Sequence, residues 1–251
     1  MAGGSSLWLV PPEDSALYRT CHRLITSQIP SLFSSSPASP PPPPPLFTPH
    51  VTLTADTVPS DLVPEQQRQG QRESPPSSSS TTSPGNPTPS AQKWLDGLVL
   101  RPPLARELRV AIQKVQVEGL FFRKLTLQCE KCAPLCELAG TCRVQGMEGL
   151  DGGEQRDGKA GKLKEEEEAG MWVGEFYWPH LSLMYSDLPE DEVQGKLDEV
   201  HSQISQAKRA NPASVTAKGG EIWLVPTYKP IEEWRPIARR ELHWVEWEWQ
   251  T

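Results

Sequence analysis

The sequence has no long apolar run and no recognisable leader. None of its apolar stretches approaches the roughly 20 residues that a membrane-spanning helix requires, and the opening MAGGSSLWLVPPED lacks a basic segment followed by a long apolar one. We therefore expect a chain without a transmembrane segment that stays inside the cell. The five cysteines, an odd number, favour reduced thiols over a disulfide framework.

Metal-binding spacings are also scarce. The five histidines stand in the contexts HR, HV, HL, HS and HW, so HD, HxH and HExxH are missing. Cys129, Cys132, Cys136 and Cys142 have a spacing that could hold zinc, but no histidine lies near them and packing thiols are the simpler interpretation. We expect no metal and no other cofactor, and leave the role of this cysteine cluster open.

Positive charge is in deficit, since the formal net charge is -7. Proteins that hold nucleic-acid backbones or anionic membrane surfaces do so mainly through clustered Lys and Arg, so we expect no stable binding to nucleic acid. A small ligand with one or two phosphates is compatible with this charge. The oligomeric state is not indicated.

Hydrophobic residues make up only 36% of the chain, and 27 residues are proline. The segments at about 34–45 and 64–91 are rich in Pro and Ser, and the segment at 146–170 is rich in Gly and charge. We expect these three to be disordered insertions in a single domain that spans residues 1–251. A proline-rich tract can bind SH3 or WW domains, but here no basic specificity residue flanks it and a spacer is favoured.

The remaining chain alternates strand and helix signals, which predicts an α+β fold. The stretch LRVAIQKVQVEGLFFRKLTLQC reads as a hairpin that turns at Glu118 and Gly119. Two stretches also recur: IWLVP echoes LWLVP, and PHLSLM at 179–184 echoes PHVTLT at 49–54. Such echoes suggest a duplication, and hence two pseudo-symmetric lobes whose antiparallel sheets face a central groove.

The repeated Pro-His motif predicts two histidines and two hydroxyls at that groove. Because residues two apart on a strand share a face, His50 points with Thr52, and His180 with Ser182, while aliphatic neighbours point into each lobe. One His-x-Thr triplet would mean little, but two with matched neighbours favour a catalytic pair. A neutral histidine could take a proton from water and a protonated one could give a proton to a leaving oxygen. The hydroxyls could bind phosphate oxygens, which suits metal-independent phosphodiester cleavage.

Five segments together resemble a known family: LWLVPP, PHVTLT, FFRKLTLQCEK, WPHLSLMYSD and PIEEW. The chain resembles the two-histidine phosphoesterases and, within them, the fungal 2′,3′-cyclic-nucleotide 3′-phosphodiesterases, which are phosphoric diester hydrolases. The resemblance implies a bilobal fold and hydrolysis of nucleoside 2′,3′-cyclic phosphates to 2′-phosphates. It also implies hydrolysis of ADP-ribose 1″,2″-cyclic phosphate, a by-product of tRNA splicing, to ADP-ribose 1″-phosphate. It implies catalytic roles for His50 and His180 and substrate contacts from Thr52, Ser182 and Tyr185.

Tyr185 does not fit a simple strand. It lies five residues after His180, so an uninterrupted strand would turn it to the opposite face, and a substrate contact requires the strand to end or bulge near Met184. The alternative is a packing tyrosine. The sequence also leaves open which histidine is the acid.

The sequence leaves two other functions and a second location open. An RNA-end ligase or RNA-processing phosphodiesterase of the same superfamily would need a basic surface, which the net acidity does not favour. A non-enzymatic adaptor would work through its Pro-rich tracts, although both polar pairs are intact. The family resemblance implies the Golgi apparatus, whereas the sequence alone is equally consistent with the cytosol.

Overall fold

A computed structural model describes residues 4–33, 44–57, 89–100, 108–147 and 159–250. Its strands are β1 Ser5–Val10, β2 Val51–Thr57, β3 Leu108–Val117, β4 Leu125–Cys129, β5 His180–Met184, β6 Thr216–Lys218, β7 Glu221–Val225, β8 Ala238–Glu241 and β9 Val245–Trp249. Its α-helices are α1 Ala16–Arg23, α2 Ile29–Phe33, α3 Pro89–Asp96, α4 Ala133–Met147, α5 Lys159–Glu175, α6 Glu190–Gln194 and α7 Leu197–Ala210. A π-helical turn, Leu24–Gln28, joins α1 to α2.

The described strands form one curled sheet in the order β6-β9-β3-β4-β5-β2-β1-β7-β8. β3 and β9 pair in parallel, and the other described neighbours pair antiparallel. One lobe of the sheet ends at β5 and the other at β2, and these two strands are bridged at the single pair Val51 and Leu181. The predicted α+β, two-lobed architecture is confirmed.

The two faces of the sheet are covered differently. One face packs against the helices in a large core that includes Leu7, Leu9, Val51 and Leu181. The opposite face of the β1 and β7 region holds a smaller apolar cluster of Trp8, Val10, Trp223 and Val225. This alternation along β1 follows from the period of two in a strand, which turns Trp8 away from its neighbours Leu7 and Leu9.

Two sequence expectations change in detail. LWLVP and IWLVP form β1 and β7, which pair with each other inside one lobe. This echo therefore does not relate the two lobes, unlike PHVTLT and PHLSLM, which lie on β2 and β5. The β3–β4 hairpin also turns less tightly than predicted: β3 ends at Val117, β4 begins at Leu125, and a 3₁₀ turn, Phe121–Arg123, lies between them.

Most residues of the first two predicted insertions lie outside the described residues, whereas more than half of the third is described and helical. Residues 89–91 already belong to α3, and residues 159–170 are helical because α5 begins at Lys159. The helix is supported by buried Ala169 and by Trp172 and Val173, which pack against the core. Across the ranges that the structure describes, no helix is both long enough and apolar enough to cross a bilayer.

Gly220, the residue before β7, lies very close to the backbone of β1. A Cβ at this position would lie 2.8 Å from the carbonyl oxygen of Val10, a distance that requires the backbone to move. We expect Gly220→Ala to lower the free energy of unfolding by about 1–3 kcal/mol, measured by urea denaturation.

Gly170→Ala is the matched control, because a Cβ there meets nothing within 4 Å and the residue lies inside α5. It should leave stability unchanged or raise it by up to about 1 kcal/mol. Equal effects of the two substitutions would contradict the close approach at Gly220.

Candidate active site

The pairing of β2 with β5 sets the geometry of the predicted site. Val51 lies opposite Leu181, so in the same antiparallel register His50 lies opposite Ser182, and Thr52 opposite His180. Directly opposed Cβ atoms in such pairs are about 4.5–5.5 Å apart. The four polar side chains therefore form a square on one face of the sheet, called here the site face, with the two imidazoles at opposite corners.

Each imidazole is oriented by its own chain. The Nδ1 atom of His50 lies 2.6 Å from the carbonyl oxygen of Thr48, and that of His180 lies 2.7 Å from the carbonyl oxygen of Trp178. Since a carbonyl oxygen only accepts, Nδ1 carries the hydrogen in both rings, and Nε2 is the nitrogen left for substrate. The same nitrogen is thus presented by both histidines.

The proline that precedes each histidine accounts for this repeated geometry. Pro49 and Pro179 have a fixed φ, and a residue before proline is restricted to extended conformations. This restriction favours an extended backbone at Thr48 and Trp178, whose carbonyl oxygens are bonded to the imidazole two residues later. The prolines of PHVTLT and PHLSLM are therefore part of the orientation of the histidines.

His50 lies in an apolar environment. It is 4% exposed and stacks on the indole of Trp8, with ring centroids 3.7 Å apart and planes 8° from parallel. The edge of Phe47 closes another side at 6.2 Å. Burial and, to a smaller extent, the nearby His180 lower the pKa of His50 to about 3 against the raising effect of the Thr48 hydrogen bond, so His50 is neutral at physiological pH.

His180 is more open and has charged neighbours. Burial lowers its pKa, the hydrogen bond to the Trp178 carbonyl opposes this, and the pair Arg123 and Glu118 acts in opposite directions, with Arg123 lowering the pKa and Glu118 raising it. The lowered pKa favours the neutral form of both histidines in the free protein. Their difference lies in their surroundings: aromatic rings enclose His50, while an ion pair lies beside His180.

The predicted hydroxyls also reach the site face. Ser182 is buried and its Oγ donates to the carbonyl oxygen of Phe122 at 3.1 Å, so this bond must break before Oγ donates to a ligand. Thr52 is half-buried and its hydroxyl makes no hydrogen bond within the part of the chain that the structure describes. Thr52 is thus ready to donate to an anion, whereas Ser182 has to rotate.

Tyr185 joins the site because β5 ends at Met184, where the pairing with β4 is irregular. Its ring stacks on Phe47 at 3.8 Å, and its hydroxyl interacts with Ser182. Burial raises the pKa of the Tyr185 phenol well above its usual value, so the phenol keeps its proton. The structure brings all five predicted residues together, although their roles in binding and catalysis stay predictions.

Several residues of this site lie outside the two Pro-His motifs. Trp234 lies 5.6 Å from Trp8 and 6.1 Å from Phe122, so these rings border the site face. Trp8 and Trp234 belong to the segments LWLVPP and PIEEW and could have been found there. Arg123 lies in FFRKLTLQCEK, but the predicted turn at Glu118 and Gly119 would have placed it on the following strand rather than in a turn against the end of β5.

Other features lie apart from this square. A cavity of about 690 Å³ opens between α4 and α5, with Cys136, Glu137, Thr141 and Glu166 among its lining residues, and it contains none of the five predicted residues. Cys129 ends β4, while Cys136 and Cys142 lie on α4. Among the described residues, which include all five cysteines, no group of three His, Cys, Asp or Glu is placed to hold a metal ion.

Comparison with known proteins adds independent information. A family described as cyclic phosphodiesterase-like protein matches residues 1–242. Proteins of Phaeosphaeria nodorum and Neurospora crassa are 33% and 31% identical to the chain, over 95% of its length and 99% of theirs. A protein of Saccharomyces cerevisiae is 28% identical over 93% of the chain and 98% of its own length. All three are named 2′,3′-cyclic-nucleotide 3′-phosphodiesterase.

The burial of His50 predicts a pH-dependent stability. The pKa of histidine in an unfolded chain is about 6.5, so between that pH and about 3 the unfolded chain binds a proton that folded His50 does not. The free energy of unfolding should therefore fall as the pH falls, with a contribution from His50 of about 1.4 kcal/mol per pH unit. Urea denaturation from pH 7 to pH 4 measures this slope.

His50→Gln removes the titrating group and should show a shallower slope, because the carboxylates titrate alike in both proteins. His243→Gln is the control for the substitution itself, since His243 is 80% exposed, and it should keep the wild-type free energy of unfolding at pH 7. If His50→Gln and wild type lose stability in parallel, the neutral state assigned to His50 is wrong.

Proposed function

This chain belongs to the cyclic phosphodiesterase-like family, and we propose that it hydrolyses nucleoside 2′,3′-cyclic phosphates to nucleoside 2′-phosphates without a metal. The observation that supports this most directly is the bridge between Val51 and Leu181, whose register places His50, Thr52, His180 and Ser182 in the square. In-line displacement at phosphorus needs an acid and a base on opposite sides, and donors for the non-bridging oxygens between them. Imidazoles at one diagonal and hydroxyls at the other match this requirement.

The surroundings of the two histidines favour different roles. His50 is enclosed by Trp8 and Phe47 and is neutral, so it serves as the base whose Nε2 takes a proton from water. His180 is more open and lies beside the ion pair of Arg123 and Glu118, in which Arg123 lowers its pKa and Glu118 raises it, and a bound anionic substrate favours its protonated form. It therefore serves as the acid.

The reaction is then a single displacement at phosphorus. The water oxygen forms a bond to phosphorus while the bond from phosphorus to the 3′-oxygen breaks. His50 accepts the water proton, and His180 gives its proton to the departing 3′-oxygen, which leaves the 2′-phosphate. At the end His50 is charged and His180 is neutral, so one proton returns through solvent before the next cycle.

The hydroxyls position the phosphate during this displacement. Thr52 donates to one non-bridging oxygen, and Ser182 donates to the other after it releases the Phe122 carbonyl. Tyr185 is 4% exposed and interacts with Ser182. It therefore acts on the substrate chiefly through the Ser182 hydroxyl, which it orients. The rings of Trp234 and Phe122 border the space beside this phosphate position.

A second substrate follows from the same chemistry. ADP-ribose 1″,2″-cyclic phosphate also holds a five-membered cyclic phosphodiester on a ribose, and we include its hydrolysis to ADP-ribose 1″-phosphate in the proposal. The family resemblance also implies a role in the metabolism of tRNA-splicing by-products and a location in the Golgi apparatus. Both stay predictions.

The identity of the product tests the reaction. Purified protein incubated with adenosine 2′,3′-cyclic phosphate and EDTA should yield adenosine 2′-phosphate, separated from the 3′-isomer by chromatography. Activity should be the same with and without EDTA. A 3′-phosphate product would reverse the placement of acid and base, and a loss of activity with chelator would contradict the metal-independent reaction.

Substitution of the histidines tests the site. His50→Ala and His180→Ala should each lower kcat by about 10²- to 10⁴-fold, because each removes one proton transfer. His201→Ala, on α7, is the matched control and should keep wild-type kcat and KM. A His50→Ala protein with full activity would exclude the square as the catalytic site.

A further inference from the structure

The connection between β3 and β4 lies against the site. The Ser182 hydroxyl donates to the Phe122 carbonyl at 3.1 Å, and the backbone N–H of Ser186 donates to the Phe121 carbonyl at 3.2 Å. Two hydrogen bonds on either side of the end of β5 thus hold the turn Phe121–Arg123 beside the phosphate position. Arg123 is the last residue of this turn.

Glu118 holds the guanidinium of Arg123 in place. Nε and Nη2 lie 3.1 Å and 2.6 Å from the same oxygen, Oε1 of Glu118. Both side chains are partly buried, at 25% and 19% exposed. The Nη1 group makes no hydrogen bond to any of the described residues, so the guanidinium is oriented while part of its donor capacity is unused.

The charge of Arg123 acts on the reacting groups. It is close enough to His180 to lower the pKa of that histidine, and Glu118 opposes it. The lowered pKa values favour the neutral form of both histidines, so Arg123 is the permanent cation among the described residues that influence them.

The reaction creates a need for such a cation. A cyclic phosphodiester has one negative charge, whereas the pentacovalent transition state and the monoester product approach two. A fixed positive charge with free N–H donors beside the phosphate therefore stabilises the transition state and the product more than the substrate.

We propose that Arg123 is a further substrate-contacting residue, which donates a charge-assisted hydrogen bond to a non-bridging phosphate oxygen as the second negative charge develops. This inference rests on the proposed hydrolysis of cyclic phosphates. The ligand class that Arg123 recognises is a phosphate with two negative charges, and Glu118 serves to orient the guanidinium.

Arg123→Gln tests the contact. Removing one donor from an oxyanion site costs on the order of 10²- to 10³-fold in kcat, and the neighbouring carboxylate and partial exposure reduce this. We expect roughly a tenfold to hundredfold lower kcat, a smaller change in KM, and weaker inhibition by adenosine 2′-phosphate. The pKa of His180, followed by NMR titration of the free protein, should rise because a nearby positive charge is lost.

Three variants separate this contact from a structural role. Arg123→Lys keeps the charge and should recover most of the kcat. Glu118→Gln breaks the ion pair but keeps the arginine, so its loss of kcat should be much smaller than that of Arg123→Gln. Arg109→Gln, which removes the arginine of the exposed ion pair between β3 and β9, should match wild type.

These experiments distinguish a failure of the Arg123 proposal from a failure of the proposed function. If wild type does not hydrolyse cyclic phosphates, the function itself fails. If wild type is active and Arg123→Gln matches it in kcat and product inhibition, only the role of Arg123 is excluded. Equal losses in Glu118→Gln and Arg123→Gln, or no recovery in Arg123→Lys, would mean that the pair holds the turn rather than the phosphate.

Discussion

The site depends on the register between β2 and β5. A single bridged pair, Val51 with Leu181, joins the two lobes of the sheet and sets which polar residues oppose each other. A shift of one residue would turn His50 and Thr52 into the helix-covered core and Val51 towards the site face. The burial of Val51, Leu53, Leu181 and Leu183 in one core opposes that shift, so the packing of the aliphatic side keeps the polar side assembled.

The square on the site face is nearly symmetric, and its environment is not. Both histidines have the same backbone hydrogen bond and the same free nitrogen. One is covered by Trp8, whereas the other lies beside Glu118 and Arg123. Because the motifs themselves are alike, any difference in proton affinity between the histidines comes from residues on β1 and on the β3–β4 connection rather than from the motifs.

The sequence predicted the parts of this site that depend on local periodicity. His50, Thr52, His180 and Ser182 follow from alternation on two strands, and the condition for Tyr185, a strand that ends near Met184, is met. The order of the strands did not follow, because LWLVP and IWLVP pair with each other although their similarity suggested one copy per lobe. Arg123 was missed because its position depends on contacts between the turn and β5, which pattern alone does not specify. The helix at 159–170 was missed because its Gly and charge content masked the packing of Ala169, Trp172 and Val173.

The orientation of both imidazoles relies on peptide groups rather than on side chains. Every amino acid offers a backbone carbonyl, so no substitution at Thr48 or Trp178 can delete the acceptor that Nδ1 uses. Many enzymes orient a histidine with an aspartate, which a single mutation can remove. In this fold the carbonyl oxygens of Thr48 and Trp178 take that role, and they survive any substitution of those two residues. The support is instead sensitive to substitution of Pro49 and Pro179, which restrict the backbone that carries the carbonyls.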